Sequence, residues 1–188
     1  MSVRAVVIGA SAGGVQALSQ MLPGLPVGFP VPVMVVVHIP PKKDNALVDL
    51  FARKCALPVK EAEDKEPLVP GTIYFAPPDY HLLVEADETL ALSSDETINH
   101  SRPAIDVLFE TAADAFGPAL AAIILTGANH DGAQGLRAVC EAGGFGFVQD
   151  PATAEVATMP EAARVACPGA RTMALEDLAP VLQAMIEG

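Results

Sequence analysis

The chain has 188 residues, 51% of them hydrophobic, with 11 Lys and Arg against 23 Asp and Glu for a net charge of −12. A chain of this length buries roughly 70% of its unfolded surface, enough for one cored domain over residues 1–188 without staples. So acidic a balance excludes a reader of the nucleic-acid backbone, which needs clustered cations, and the longest apolar runs, Val31 to Val37 and Ala119 to Leu125, fall far short of the roughly 18 residues of a membrane span.

In chain order, Val3 to Gly9 reads as a strand closed by a tight turn, and Gly13 to Leu22 as a helix with Val15, Leu18 and Leu22 on one face. Val33 to His38 is a second strand. After Pro40-Pro41 a helix opened by Asp44 carries Leu47, Leu50, Phe51 and Cys55 along one stripe. Thr72 to Ala76, His81 to Glu85 and Thr89 to Ser93 read as short antiparallel strands, joined by turns at Pro77-Pro78-Asp79 and Ala86-Asp87-Glu88. Pro103 to Phe116 is an amphipathic helix and Ala119 to Thr126 a buried strand. Asp131 to Ala142 is a helix ended by Gly143-Gly144. Gly146 to Gln149 is strand-like, Glu161 to Ala166 a short helix, Arg171 to Ala174 a strand, and Leu178, Val181, Leu182 and Met185 mark a closing helix. Continuously apolar strands alternating with helices predict an α/β fold: a single-domain, doubly wound, mostly parallel sheet with helices on both faces and a small antiparallel hairpin insertion.

The three cysteines, Cys55, Cys140 and Cys167, are odd in number, far apart and without a C-x-x-C pair. They predict neither a disulfide framework nor a zinc ribbon, read as structural, and fit a reducing, cytoplasmic compartment. No histidine spacing marks a metal site, so neither metal nor cofactor is expected. The acidic run Glu61-Ala62-Glu63-Asp64 reads as a solvated loop.

Gly9-Ala10-Ser11-Ala12-Gly13 matches G-x-S-x-G between a predicted strand and helix. There a nucleophile elbow would lift the Ser11 hydroxyl above the carboxyl edge of a sheet and leave N–H groups, beginning with Ala12, free to hold an oxyanion. The pentapeptide serves equally well as a Gly-rich turn that cradles phosphate. The second strand weighs against a dinucleotide, because it ends in His38 rather than in a ribose-binding carboxylate. His38 is a candidate base for Ser11, since both occupy strand ends; its plain alternative is a histidine satisfied by a carbonyl. His81, His100 and His130 read as solvated turn or loop residues, His130 being the main rival base. Asp131, after the third buried strand, taken alone is a helix N-cap. With Ser11 and His38 it makes a set for acyl transfer in the order Ser, His, Asp, which differs from that of the α/β-hydrolases.

These residues stand in blocks that resemble the catalytic domain of the bacterial CheB-type protein-glutamate methylesterases. The blocks are Val7-Ile8-Gly9-Ala10-Ser11 with Gly13-Gly14, His38-Ile39-Pro40-Pro41, Val59 to Asp64, Ile73 to Asp79, Asn99 with Arg102-Pro103 and Asp106 to Phe109, Ile124 to Gly127 with Asp131-Gly132, and Met159-Pro160. The resemblance implies a Ser11, His38, Asp131 triad that hydrolyses γ-glutamyl methyl esters on the cytoplasmic helices of chemoreceptors, and deamidation of receptor glutamines in some members. It adds Ala12, Gly13, Arg102, Ala128 and Met159 as oxyanion or substrate contacts. Family members commonly have Thr where this chain has Ala12 and Met where it has Ala128. They also carry a receiver domain, which this reading does not find within 1–188, so a separate receiver and a cognate methyltransferase system join the expected partners. The rival readings are a receptor-binding adaptor with impaired catalysis and a phosphate- or nucleotide-binding module.

Overall fold

Runs of Val, Ile and Ala with no polar interruption form strands only where both faces of a sheet are covered, and that dictates the architecture. The computed structural model describes residues 2–39 and 46–187; Asp44, expected to open the second helix, and Pro40-Pro41 lie outside them. In order the elements are β1 (Ala5–Ala10), α1 (Gly14–Met21), β2 (Val33–Val37), α2 (Ala46–Lys54), β3 (Val59–Glu61), β4 (Ile73–Phe75), β5 (His81–Val84) and β6 (Leu90–Ser93). Then follow α3 (Ile105–Phe116), β7 (Leu120–Ile124), α4 (Ala133–Glu141), β8 (Phe145–Gln149), α5 (Thr158–Ala166), β9 (Arg171–Met173) and α6 (Leu175–Glu187). Short 3-10 turns at Leu22–Gly24 and Gly117–Ala119, unread in the sequence, close α1 and α3. No helix among the described residues is long and apolar enough to cross a membrane.

Seven strands form one parallel sheet in the order β3-β4-β2-β1-β7-β8-β9, and β5 and β6 pair separately as an antiparallel hairpin. Alternate residues of the central strands face opposite layers. Val6 and Ile8 pack with α1, α2 and α6, while Val7 and Ile124 pack with α3, α4, α5 and the hairpin. Each such side chain is fully buried, which stabilises the fold by roughly 1.5–3 kcal/mol apiece. The chain winds outward from β1 through β2, then crosses back to β7 and winds the other way. That reversal between β1 and β7 is a topological switch point, where ligands of open α/β sheets bind beyond the carboxyl ends of the strands.

Three expectations need correction. Thr72 to Ala76 is not part of an antiparallel group: Ile73–Phe75 lies in the main sheet, parallel to both β2 and β3. Nor is Glu61-Ala62-Glu63-Asp64 merely a solvated loop. Val59–Glu61 is an edge strand, Ala62 donates its N–H to the Phe75 carbonyl at 2.9 Å, and the Asp64 carboxylate accepts the Leu92 N–H at 2.9 Å. Cys140 and Cys167, finally, form a disulfide that ties the end of α4 to the residue following α5, leaving Cys55 as the free thiol. Spacing alone hid the pair, because the two cysteines meet only when α4 and α5 pack on the same sheet face. The cysteine pattern therefore no longer argues for a reducing compartment.

Candidate active site

The carboxyl ends of the three central strands bring the chemistry together. Ser11 follows β1, and its N–H donates to the Thr126 carbonyl at 2.9 Å, which fixes the elbow against the end of β7. Gly13 then takes φ +81°. A side chain there would be strained by that backbone, and its Cβ would sit 2.6 Å from Glu155 Oε2 and 3.1 Å from Thr126 Cγ2. The turn leaves the Ala12 and Gly13 N–H groups without a hydrogen-bond acceptor among the described residues, at the positive end of α1. The buried Thr126 hydroxyl is shared between the Ala12 and Val156 carbonyls, at 2.9 and 3.1 Å, and so clamps the elbow to the loop before α5.

His38 stands one residue past β2, its N–H held by the Ala10 carbonyl at 3.0 Å. Its Nε2 lies 2.6 Å from Asp131 Oδ2; the carboxylate is fully buried and the imidazole 12% exposed. Pairing with an ionised carboxylate puts the ring proton on Nε2 and leaves Nδ1 as the nitrogen able to accept one. The Asn129 amide touches Nδ1 at 3.3 Å, and its oxygen accepts the Asp131 N–H at 3.0 Å. The Ser11 hydroxyl is not hydrogen-bonded to His38 in this structure; such contacts tighten commonly only when substrate is bound.

Asp131 is a helix cap, but of a different helix from the one expected. Its Oδ2 accepts the Ile105 N–H at 2.7 Å and its Oδ1 the Asp106 N–H at 3.1 Å, so it closes the start of α3. Asp106 returns the favour to α4, its Oδ1 accepting the N–H groups of Gly132 at 2.9 Å and Gly135 at 2.7 Å. The helices are capped reciprocally. Burial by itself would raise the Asp131 pKa. The bond to His38, the Ile105 N–H, the Asn99 amide and the Asp106 N–H outweigh it and hold the group below the usual carboxylate range. Asp106 has no cationic partner among the described residues, and burial, with the neighbouring Asp131 charge, pushes it up despite its hydrogen bonds.

The remaining expected residues are more scattered. Arg102 gives Nε and Nη2 to Asp79 Oδ1, at 3.1 and 2.8 Å, and Nη1 to the carbonyls of Ser94 and Asp95, at 3.1 and 3.0 Å, which pins it as a wall. With His38, Ile39, Asp79, His100 and Pro103 it lines a groove of about 190 Å³. Met159 is buried beside the elbow and its N–H donates to the Gly127 carbonyl at 3.0 Å. Ala12 and Ala128 are exposed. Among the other histidines, His130 is exposed and makes no bond to the site, and His100 is exposed at the groove. His81, expected in solvent, is instead buried, its Nε2 2.8 Å from the Glu96 carbonyl and its Nδ1 accepting the Ala104 N–H. The sequence reading missed Asp106, Asn99, Asn129, Thr126 and Gln149, whose Oε1 accepts the Thr126 N–H at 2.9 Å, as parts of this network. One signal was present, an Asp in the first turn of a helix otherwise apolar on that side.

A family model described as CheB methylesterase matches residues 6–182. The chain belongs to the CheB methylesterase family. Among curated CheB relatives, a protein of Leptospira interrogans named "Putative protein-glutamate methylesterase/protein-glutamine glutaminase" is 47% identical over 95% of this chain and 93% of its own length. The protein-glutamate methylesterase/protein-glutamine glutaminase of a Nocardioides species is 43% identical over 94% of this chain but only 49% of its own. Among solved structures, the CheB methylesterase catalytic domain of Thermotoga maritima superposes with a TM-score of 0.92 at 34% identity, covering 97% of this chain and 98% of that one.

Proposed function

We propose that this chain is a serine hydrolase that removes methyl groups from γ-glutamyl methyl esters on the cytoplasmic helices of chemoreceptors, with Ser11 as nucleophile, His38 as base and Asp131 as the carboxylate that orients it. The same site would convert receptor glutamines to glutamates. Family membership supports the reaction class. The observation that carries the assignment of residues is the fully buried Asp131 carboxylate bonded at 2.6 Å to His38, beside a glycine-flanked serine at the switch point of the sheet.

In this reading His38 Nδ1 takes the Ser11 proton as Oγ attacks the ester carbonyl. The oxyanion forms against the Ala12 and Gly13 N–H groups, for which no acceptor among the described residues competes. Imidazolium then hands its proton to the departing oxygen, methanol leaves, and a glutamyl-Ser11 ester remains. Water attacks that ester with His38 again as base, which frees glutamate and restores the hydroxyl. For glutamine the leaving group is ammonia. Asp131 stays ionised and stabilises the imidazolium. The Ala12 side chain does not enter the step, because its donor belongs to the main chain. The groove of about 190 Å³ beside His38, walled by Arg102 and Pro103, is where the substrate chain would approach the base.

A serine-directed phosphonate probe tests the assignment. Labelling of Ser11 in the parent and its loss in His38→Ala are the expected results, read by intact mass. An inert Ser11 in the folded parent would favour the adaptor reading instead. Gly127→Ala tests the packing behind the nucleophile. A methyl group at 127 would lie 2.6 Å from Met159 Cε and 2.9 Å from Ser11 Cβ, so the elbow has to shift. The expected outcome is about a 10²-fold fall in methanol release from methylated receptor, with about 1–3 kcal/mol lost in thermal melts.

A further inference from the structure

We infer that Asn99 is a positioning residue of the hydrolytic site, its side-chain amide clamped between two buried carboxylates so that Asp131 presents one fixed oxygen to His38. The inference rests on the Ser11, His38, Asp131 reading above and adds to it a residue that touches none of the reacting atoms.

The geometry begins with a tight turn. Ile98 and Ser101 exchange both N–H to carbonyl bonds, at 3.1 and 2.9 Å, and the two residues between them, Asn99 and His100, have φ of 53° and 61°. That is the hairpin turn with both central residues left-handed, where Asn is among the few side chains tolerated. Flanking residues 94–98 and His100 are exposed, yet the Asn99 side chain turns inward. Its Nδ2 lies 2.8 Å from Asp106 Oδ2 and 2.8 Å from Asp131 Oδ1. An amide nitrogen carries two hydrogens on one planar atom, so it can bond both carboxylates at once; a hydroxyl has only one to give.

The effect on Asp131 follows from counting its oxygens. Oδ1 is taken by Asn99 and the Asp106 N–H, and Oδ2 by the Ile105 N–H and His38. With Oδ1 anchored the carboxylate cannot rotate, and Oδ2 stays aimed at the imidazole. The amide also separates two like charges in a poorly solvated space. Among the described residues, the titratable groups around Asp131 are His38 from beyond β2, Asp106 at the start of α3 and, at longer range, Glu110 one turn further on; Asp79, His100 and Arg102 line the groove outside. Without the amide the carboxylate charge is less dispersed, so the His38–Asp131 pair holds its proton more tightly.

The experiment compares the parent with Asn99→Gly and Asn99→Asp, both of which accept a left-handed backbone and keep the turn. Methanol release from methylated receptor is measured across pH. Asn99→Gly is expected to lower kcat by about 10-fold with KM within twofold, and to move the acid limb of the kcat/KM profile to higher pH. Asn99→Asp puts a third carboxylate into the cluster, so its limb moves further in the same direction and its kcat falls further. The low-field proton resonance of the imidazole N–H bonded to Asp131 is read at low temperature, independent of melting point, and is expected to weaken or shift in both variants. A purely structural role would lower the melting temperature of the variants while leaving limb and resonance in place, and that result overturns the inference. Failure of the underlying reading is separable, because Ser11→Ala would then retain activity whatever Asn99 does.

Discussion

Ser11→Ala is expected to abolish turnover while leaving the protein as stable as its parent. The Ser11 hydroxyl makes no hydrogen bond to the rest of the fold among the described residues, and its Cβ, which alanine keeps, is the atom that packs against Gly127. Removing an unbonded, half-exposed oxygen should change stability by no more than about 0.5 kcal/mol. Turnover needs that oxygen as the atom that carries the acyl group, so the loss should reach about 10⁴–10⁶-fold, the residue left being what oxyanion donors and binding supply alone. Methanol release from methylated receptor, set beside a thermal melt of the same sample, checks both halves. Substantial activity in a correctly folded Ser11→Ala would falsify the nucleophile assignment.

Asp131→Asn should behave differently, because that side chain serves chemistry and architecture together. Four donors converge on its two oxygens: His38 Nε2, the Asn99 amide and the N–H groups of Ile105 and Asp106. Asparagine matches the shape but offers one oxygen and an NH₂ group, so two donors lose an acceptor. The imidazole also loses the anion that fixes its tautomer. A fall of about 10³–10⁴-fold in kcat is expected, with about 2–4 kcal/mol of stability lost at neutral pH as hydrogen bonds to a charged group disappear. The pH dependence has a definite sign. The pKa of Asp131 is lower in the folded protein than the ordinary carboxylate value, so its contribution is present above the ordinary value and is lost as pH falls through the depressed one. Parent and variant should therefore differ most at neutral pH and converge only in strong acid, below the usual carboxylate range, as urea titrations at stepped pH would show. Asp106, raised by burial, pulls the other way: its ionisation above the ordinary carboxylate range costs stability, and acid relieves that cost.

Whatever is encoded locally could be read from the chain. The runs at β1, β2 and β7 announce buried parallel strands because nothing polar interrupts them, and their ends place Ser11, His38 and the loop to Asp131 at one edge. Pairing between distant segments could not be read in the same way. Ile73–Phe75 and the hairpin strands look alike in isolation, and only partners in β2 and β3 make the first of them parallel. The edge strand Val59–Glu61 is three residues long and two of the three are charged, too short for alternation to register. Asp131 was legible as a cap or a catalytic carboxylate, not as both, because the helix it caps is not its own. Asn99 appeared within a motif, but its two carboxylate partners are brought together only by the packing of α3 on α4. The disulfide escaped for the same reason, its cysteines being 27 positions apart in the chain.

The two outermost strands of the main sheet have a bearing on how the protein behaves when concentrated. β3 and β9 are each three residues long and carry Lys60 and Arg171. An unpaired ladder of backbone groups is a template on which a second chain can polymerise, and brevity with a cation on the rim is the usual defence. The long, apolar strands that hold the active residues lie inside this border, out of reach of intermolecular pairing, so a wholly aliphatic central sheet need not lead to aggregation.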